Sequence, residues 1–189
     1  NDLGMAVANS LAAVEAGAIA NPDEQRQVGH YWLRAPDTGP PGVAEQIRVT
    51  HEACVALARE IHAEGRLRTL LVLGIGGSAL GPQLVADALS EPHDRLRPVF
   101  IDNTDPEGIA RILGPLDLEE TITVCISKSG STPEPRNALA EVEAAYARAG
   151  VGFPERAMAI TGEGSLLWRA AGSWRARVPM WDWVGGRTS

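Results

Sequence analysis

The sequence predicts an α/β protein with a five-stranded parallel sheet, helices on both faces, and a helical segment in front of it. From residue 68 onward, short apolar runs alternate with helical segments, a pattern typical of parallel sheets. The runs are continuous and rich in β-branched residues, as expected for strands that are buried on both faces. Before that point the apolar residues recur at helical spacing instead.

The first segment, residues 1–64, is predicted to be an N-terminal helical segment. Apolar residues at helical spacing predict a helix over Asp2–Ala16. A cap residue, a proline and two acids in Asn21-Pro22-Asp23-Glu24 predict a second helix that runs on to residue 33. After a loop rich in proline and glycine, an amphipathic helix is predicted over Val43–Glu64.

The second segment, residues 65–189, is predicted to be a single α/β domain. Its strands are predicted at Leu70–Leu73, Pro98–Ile101, Thr121–Ile126, Ala157–Ile160 and Arg177–Met180. Its helices are predicted at Pro82–Leu89, Pro106–Leu113, Pro135–Ala149 and Leu166–Ala171. In a flavodoxin-like strand order, 2-1-3-4-5, the first and third strands are neighbours on either side of the topological switch point.

A polar turn, Ser127-Lys128-Ser129-Gly130-Ser131-Thr132-Pro133-Glu134, follows the third strand and precedes a helix. It offers hydroxyls, an ammonium group and a flexible glycine beside a helix N-terminus, which favours an anion. Lys128 is the only lysine among 17 lysines and arginines, and a slim ammonium reaches a phosphate in a crowded turn more easily than a guanidinium. The turn therefore predicts a phosphate site, which we favour over a solvated loop that only caps the helix.

A glycine-rich turn follows the first strand. Gly74-x-Gly76-x-x-Ala79 formally matches a dinucleotide fingerprint, with Asp102 as the ribose-binding acid. However, Gly77-Ser78 adds a further glycine and a hydroxyl, and a dinucleotide leaves the polar turn after the third strand unexplained. Two turns on neighbouring strands open into the same crevice, so we favour one site with two walls.

The last segment, Trp181–Ser189, carries a third candidate feature. Arg187 follows the pair Gly185-Gly186, where the backbone can approach a ligand closely and project a fixed positive charge. A surface turn anchored by tryptophans explains the same residues equally well.

Composition excludes several classes of protein. The net charge of -7 argues against a nucleic-acid partner, and no apolar run approaches the ~18 residues of a membrane span. Cys54 and Cys125 lie in a predicted helix and a buried strand, which indicates inert thiols rather than a disulfide or metal site. We expect a cytoplasmic protein. Because the chain lacks an initial Met and stops just after Gly-Gly-Arg, we also expect a fragment.

Together these motifs resemble the glucose-6-phosphate isomerase family. Gly74–Pro82 looks like the family's first sugar-phosphate loop, and Ser127-x-Ser129-Gly130-x-Thr132 resembles the phosphate loop shared by sugar isomerase (SIS) domains. Asp182–Ser189 is similar to the family's own signature, although many members carry an aromatic residue where this chain has Thr188. Asn21–Glu24 and His30–Leu33 are similar to segments of the bacterial members.

The resemblance implies interconversion of glucose 6-phosphate and fructose 6-phosphate through a cis-enediol, without a metal or organic cofactor, in a homodimer. It assigns the phosphate to Ser127, Lys128, Ser129 and Thr132, and the sugar to Gly77 and Ser78. Arg187 would stabilise the developing enediolate, and Glu134 would orient the histidine that opens the sugar ring. The family's base Glu, its His and its late Lys have no matching motif in residues 1–189.

Two alternatives remain open at this stage. The first is a non-catalytic, regulatory SIS module that binds a phosphosugar. The second is a nicotinamide-dependent oxidoreductase, which the fingerprint after the first strand suggests.

Overall fold

The protein, which a computed structural model describes for residues 2–23 and 25–184, contains the predicted parallel sheet. Its helices are α1 (Asp2–Glu15), α2 (Val43–Glu64), α3 (Gly77–Leu89), α4 (Pro106–Leu113), α5 (Pro133–Ala149) and α6 (Leu166–Ala170). Its strands are β1 (Ile19–Asn21), β2 (Arg26–Gln27), β3 (Thr69–Leu73), β4 (Arg97–Ile101), β5 (Thr121–Ile126), β6 (Ala157–Thr161) and β7 (Ala176–Pro179).

The five-stranded sheet has the order β4-β3-β5-β6-β7, and each neighbouring pair is parallel. This confirms the flavodoxin-like order predicted from the sequence. All residues of the central strand, β5, are buried, which explains its unbroken apolar and β-branched sequence. Leu73 of β3 lies opposite Ile101 of β4 and Cys125 of β5. The carboxyl ends of these three strands are therefore level at one edge of the sheet.

Apolar clusters cover both faces of the sheet, as predicted. Leu71 of β3 belongs to one cluster and Val72 to the other, because successive side chains of a strand point to opposite faces. On the first face, Ile109 of α4 and Val142 of α5 pack against the sheet. On the second face, Ile61 near the end of α2 does so.

The described residues divide into two compact units. One comprises residues 57–180, and the other comprises residues 2–56, without residue 24, together with 181–184. The second unit has its own core, in which Trp32, Val43, Trp183 and Val184 pack together. The sequence predicts a domain boundary between residues 64 and 65, and that boundary stays a prediction.

The predicted helix over residues 21–33 is wrong. This stretch forms the antiparallel hairpin of β1 and β2, followed by a 3-10 turn over His30–Leu33. Asparagine followed by Pro22 also favours a turn, and here the chain reverses at this point. Gln25 has a φ of +53°, a left-handed conformation that cannot continue a right-handed helix.

Helix α3 begins at Gly77, earlier than the predicted start at Pro82, so that boundary is also wrong. Proline is common in the first turn of a helix, which suggested the later start. Pro82 instead lies inside the helix, where its missing N–H deprives only the carbonyl of Ser78 of a helical bond. The other strands and helices predicted for this region are present. In the part of the chain that the structure describes, no helix is long and apolar enough to cross a membrane.

Candidate functional site

Two turns emerge side by side at the carboxyl edge of the sheet. The glycine turn, residues 74–78, follows β3, and the serine turn, residues 127–132, follows β5. Because β3 and β5 are parallel neighbours with Leu73 opposite Cys125, the two turns leave the sheet at the same level. The structure thus brings together the two sequence motifs that were predicted to form one site. This is the switch-point edge, where open α/β sheets bind their ligands.

Steric constraints shape the glycine turn. A Cβ on Gly74 would lie 2.7 Å from the carbonyl oxygen of Ser78, so only glycine lets the strand approach the helix this closely. Gly76 has a φ of +57°, and its carbonyl accepts from the N–H groups of Ala79 and Leu80. Gly77 and Ser78, the two predicted sugar-binding residues, form the half-buried first turn of α3.

Hydroxyl groups and a glycine shape the deeper part of the serine turn. Ser127 is buried, and its Oγ accepts a hydrogen bond of 3.1 Å from the N–H of Gly130. The Ser127 Oγ also lies 3.5 Å from Oγ1 of Thr132. Gly130 has a φ of +67°, and a Cβ there would overlap the backbone nitrogen of Leu167. The turn is therefore folded around Ser127 and packed against the start of α6.

The outer part of the serine turn carries exposed hydroxyls. Oγ of Ser129 accepts from the N–H of Ser131 at 3.2 Å and from its hydroxyl at 2.8 Å. Both serines are exposed, whereas Lys128 and Thr132 are half-buried. Hydroxyls at two depths and an ammonium group together offer several donors to one tetrahedral oxyanion.

The start of α5 offers an anion fewer backbone N–H groups than its position after the serine turn suggests. Pro133 and Pro135 have no N–H, and the N–H of Arg136 already bonds to the carbonyl of Thr132 at 3.3 Å. Among the first three helical residues only Glu134, which is half-buried, therefore has an N–H group. The helix dipole still favours an anion here, but the turn itself supplies most of the donors.

The carboxylate that the dinucleotide fingerprint needs is engaged within the protein. Asp102, at the end of β4, accepts from Nε2 of Gln83 at 2.9 Å through one oxygen. Its other oxygen accepts from Nδ2 of Asn103 at 3.2 Å. A ribose would compete with both amides, so the geometry favours a sugar phosphate over a dinucleotide. Sequence reasoning missed Gln83, which carries no motif signal.

Cys125, the cysteine beneath the serine turn, is buried and has an unreactive thiol. Burial raises the pKa of the Cys125 thiol to about 12, and the carboxylate of Glu143 acts in the same direction. A neutral thiol is a weak nucleophile, which agrees with the inert role expected from the sequence. Arg187, the predicted third contributor, lies outside the described residues.

Sequence reasoning also missed the residues that support the serine turn from the neighbouring strand. The hydroxyl of Thr161 and the N–H of Gly162, at the end of β6, bond to the carbonyls of Ser127 and Lys128. A threonine and a glycine at the end of a strand are too common to single out, and only the strand order places them here.

Comparison with known proteins agrees with the geometry of this edge. The sequence profile of the family Phosphoglucose isomerase matches residues 5–189. The chain belongs to the phosphoglucose isomerase family. The match covers both turns and the last segment, so membership rests on the whole chain rather than on one motif.

Individual members of the family are closely similar in sequence. The glucose-6-phosphate isomerase of Geobacter sulfurreducens is 54% identical over 194 residues, which cover 96% of this chain and 37% of that protein. The enzyme of the same name from a Synechococcus strain is 52% identical over 191 residues, covering 95% of this chain and 36% of that protein. The chain thus spans little more than a third of the length of these relatives.

Solved structures show the same fold. A glucose-6-phosphate isomerase from Chlamydia trachomatis superposes with a TM-score of 0.81 and 32% identity, over 96% of this chain and 37% of that one. A hypothetical protein from Thermus thermophilus superposes with a TM-score of 0.66 and 28% identity, over 90% and 37% of the two chains.

Proposed function

We propose that this chain is the phosphate-binding part of a glucose-6-phosphate isomerase, which interconverts glucose 6-phosphate and fructose 6-phosphate. The observation that carries the proposal is the pairing of the glycine and serine turns at one edge of the sheet in a member of this family. The isomerase names of the relatives support the choice of reaction.

The serine turn would hold the phosphate. Ser127, Ser129 and Thr132 donate through hydroxyls at two depths, and Lys128 adds the positive charge that offsets the dianion. Hydrogen bonds to a charged group are stronger than neutral ones, so this turn should supply most of the affinity.

The remaining proposed roles concern the sugar and the reaction. Gly77 and Ser78, at the start of α3, would border the sugar from the neighbouring turn. Arg187 would stabilise the negative charge of the cis-enediolate, which forms only along the reaction path and therefore accelerates turnover more than it strengthens binding. Glu134 would orient the histidine that opens the sugar ring.

Proton transfer between carbon 1 and carbon 2 needs a base, and a well-placed one accelerates turnover by about 100- to 10,000-fold. Residues 1–189 contain no match to the family's motifs for that base. We therefore propose that the chain binds the substrate weakly and does not turn it over alone. We further propose that the whole protein is a cytoplasmic homodimer; two free cysteines are compatible with a reducing compartment.

The test is an activity assay on two proteins purified free of host isomerase. One is this chain; the other is the Geobacter sulfurreducens enzyme in which this chain replaces the segment that is 54% identical to it. We expect conversion of fructose 6-phosphate by the chimera and none by the chain. Turnover by the chain alone would place a catalytic base within residues 1–189. A well-folded but inactive chimera would contradict the proposed function and favour a phosphosugar-binding module.

Arg187→Ala in the chimera separates catalysis from binding. Because the enediolate charge is absent from the bound substrate, we expect kcat to fall by about 100-fold while KM changes by less than about threefold. Arg148→Ala, at the exposed C-terminal end of α5, is the control and should leave both constants unchanged. A raised KM with kcat unchanged would assign Arg187 to binding rather than to the reaction.

A further inference from the structure

The end of β6 and the turn after it contact the serine turn on the side that faces β6. β6 lies next to β5 in the sheet, and Thr161, its last residue, is fully buried. Its hydroxyl donates to the carbonyl oxygen of Ser127 at 2.6 Å. The N–H of the next residue, Gly162, donates to the carbonyl oxygen of Lys128 at 2.9 Å. Two successive carbonyls of the serine turn are thus held by two successive residues of a neighbouring turn.

The direction of the hydrogen bonds follows from counting protons. Thr161 has one hydroxyl proton, and the carbonyl of Ser127 at 2.6 Å is a better acceptor than that of Lys128 at 3.3 Å. Ser165 Oγ lies 2.7 Å from Oγ1 of Thr161 and must therefore donate to it. Ser165 in turn accepts from the N–H of Trp168 at 3.0 Å. A directed chain of hydrogen bonds runs from the start of α6 to the first residue of the serine turn.

These hydrogen bonds determine the direction in which the backbone N–H groups of the serine turn point. The carbonyl and the following N–H of a trans peptide point in opposite directions, and the described chain has no cis peptide. With the carbonyls of Ser127 and Lys128 held by the β6 turn, the N–H groups of Lys128 and Ser129 point away from it. That is the side of the turn on which β3 lies in the sheet.

Gly162 makes the approach possible. A Cβ at this position would lie 2.9 Å from the carbonyl oxygen of Lys128, so a larger residue would push the two turns apart. Gly130 meets α6 with similarly little space. The serine turn is therefore held from behind by hydrogen bonds and by close packing.

We propose that Thr161 is a positioning residue of the phosphate site, which orients the backbone amides of Lys128 and Ser129 toward the bound phosphate. The proposal rests on the proposed function, because it assumes that the serine turn holds the phosphate group. Thr161 itself does not touch the ligand; it acts through the carbonyl of Ser127.

The experiment compares three variants of the chain. Thr161→Val keeps the shape but removes the hydroxyl, and Thr161→Ser restores it. Thr121→Val is the matched control, because Thr121 is equally buried and its hydroxyl also donates to a carbonyl, that of Asp117, at 2.6 Å. Thr121 lies at the opposite end of β5, away from the serine turn.

Two measurements are made on each variant. The affinity for fructose 6-phosphate, measured by calorimetry, should fall about three- to tenfold in Thr161→Val and less than about twofold in Thr161→Ser and Thr121→Val. Amide hydrogen exchange, measured by NMR without ligand, should become faster at Lys128 and Ser129 in Thr161→Val alone. A general loss of stability would act on Thr161→Val and Thr121→Val alike.

The outcomes test the positioning role of Thr161 separately from the proposed function. Equal affinities and equal exchange rates in Thr161→Val and Thr121→Val would overturn the positioning role. If the unmodified chain does not bind fructose 6-phosphate, the proposed function fails, and the exchange rates alone then decide whether Thr161 orders the turn. If Thr161→Val does not fold, Ser165→Ala is used instead, because it removes the hydroxyl that donates to Oγ1 of Thr161. It should weaken binding about twofold, and unchanged binding would then overturn the inference.

Discussion

The glycine turn and the serine turn occupy equivalent places in the sheet but are built differently. Both follow neighbouring parallel strands at the same level. In the glycine turn, the close contact of Gly74 is with Ser78 of the same turn. In the serine turn, the carbonyl of Ser127 is held by Thr161, and Gly130 packs against Leu167.

The difference shows two ways of preparing a backbone for a ligand. The glycine turn depends on the absence of side chains, so its shape is largely local. The serine turn carries the donors for a charged group, and it is fixed by hydrogen bonds and packing from the next βα unit. Substitutions in or behind the serine turn should therefore have the wider consequences.

The largest effect should come from Gly130→Ala. The new Cβ would overlap the backbone of Leu167, and the left-handed φ of +67° adds strain. We expect the free energy of unfolding, measured with urea, to fall by about 3 kcal/mol or more. The control is Gly81→Ala inside α3, where nothing lies near the added Cβ. It should stabilise the protein by about 0.5–1 kcal/mol.

Gly74→Ala should cost less than Gly130→Ala. Its Cβ would lie 2.7 Å from the carbonyl oxygen of Ser78, but this contact lies within the glycine turn and does not involve the next βα unit. We expect a loss of about 2 kcal/mol in the same urea experiment. A larger loss than in Gly130→Ala would contradict the view that the serine turn is the more widely connected one.

Ser129→Ala should affect binding rather than stability. Its exposed hydroxyl is proposed to donate to the phosphate, and a hydrogen bond to a charged group contributes about 2 kcal/mol, or roughly 30-fold in affinity. Ser131→Ala, which removes the neighbouring exposed hydroxyl, is the control and should cost less than about threefold. Calorimetry with fructose 6-phosphate measures both. Equal losses in the two variants would remove Ser129 from the site.

The smallest effect concerns Cys125, the buried thiol beneath the serine turn. In the unfolded chain the thiol of Cys125 ionises with a pKa of about 8.5, whereas burial keeps it neutral up to about 12. The unfolded state therefore loses its proton first as the pH rises, and stability declines. From about pH 7.5 to about pH 9 this group should lower the free energy of unfolding by about 0.8 kcal/mol.

The variant Cys125→Ala tests this contribution. The free energy of unfolding of this variant should depend less on pH over the same range. Loss of the buried sulfur also lowers that free energy, but by an amount that does not change with pH. Cys54→Ala is the control and should change the pH dependence less, because the Cys54 thiol is only half-buried, although burial raises its pKa as well. Parallel pH curves for the unmodified chain and Cys125→Ala would show that the thiol is accessible to solvent.

The sequence predicts the sheet well because its strands are continuous apolar runs, which fit the buried interior of a parallel sheet. The bounds of β5 and α4 agree with the prediction, and the flavodoxin-like strand order, which makes the glycine turn and the serine turn neighbours, is confirmed. The segment of residues 21–33 failed because the same residues, asparagine and Pro22, begin helices and turns. Local sequence cannot decide between them when the packing of Trp32 is unknown.

The candidate site was only half predictable. The donors of the serine turn are chemically distinctive, so residues 127–132 stood out. Thr161 and Gly162 are distant in sequence, and their role depends on the contact between two βα turns. The sequence predicts Pro135 as the first residue of an ordinary helix, but together with Pro133 it removes backbone N–H groups that an anion would otherwise use.

The most direct test of the central claim, that the serine turn binds the phosphate of a sugar phosphate, is a comparison of two ligands. Fructose 6-phosphate and fructose are titrated into the chain at the same pH and ionic strength, and the dissociation constants are measured by calorimetry. Two hydrogen bonds to the charged group, at about 2 kcal/mol each, predict an affinity for fructose that is about 1,000-fold weaker. Comparable affinities for the two sugars would contradict the claim.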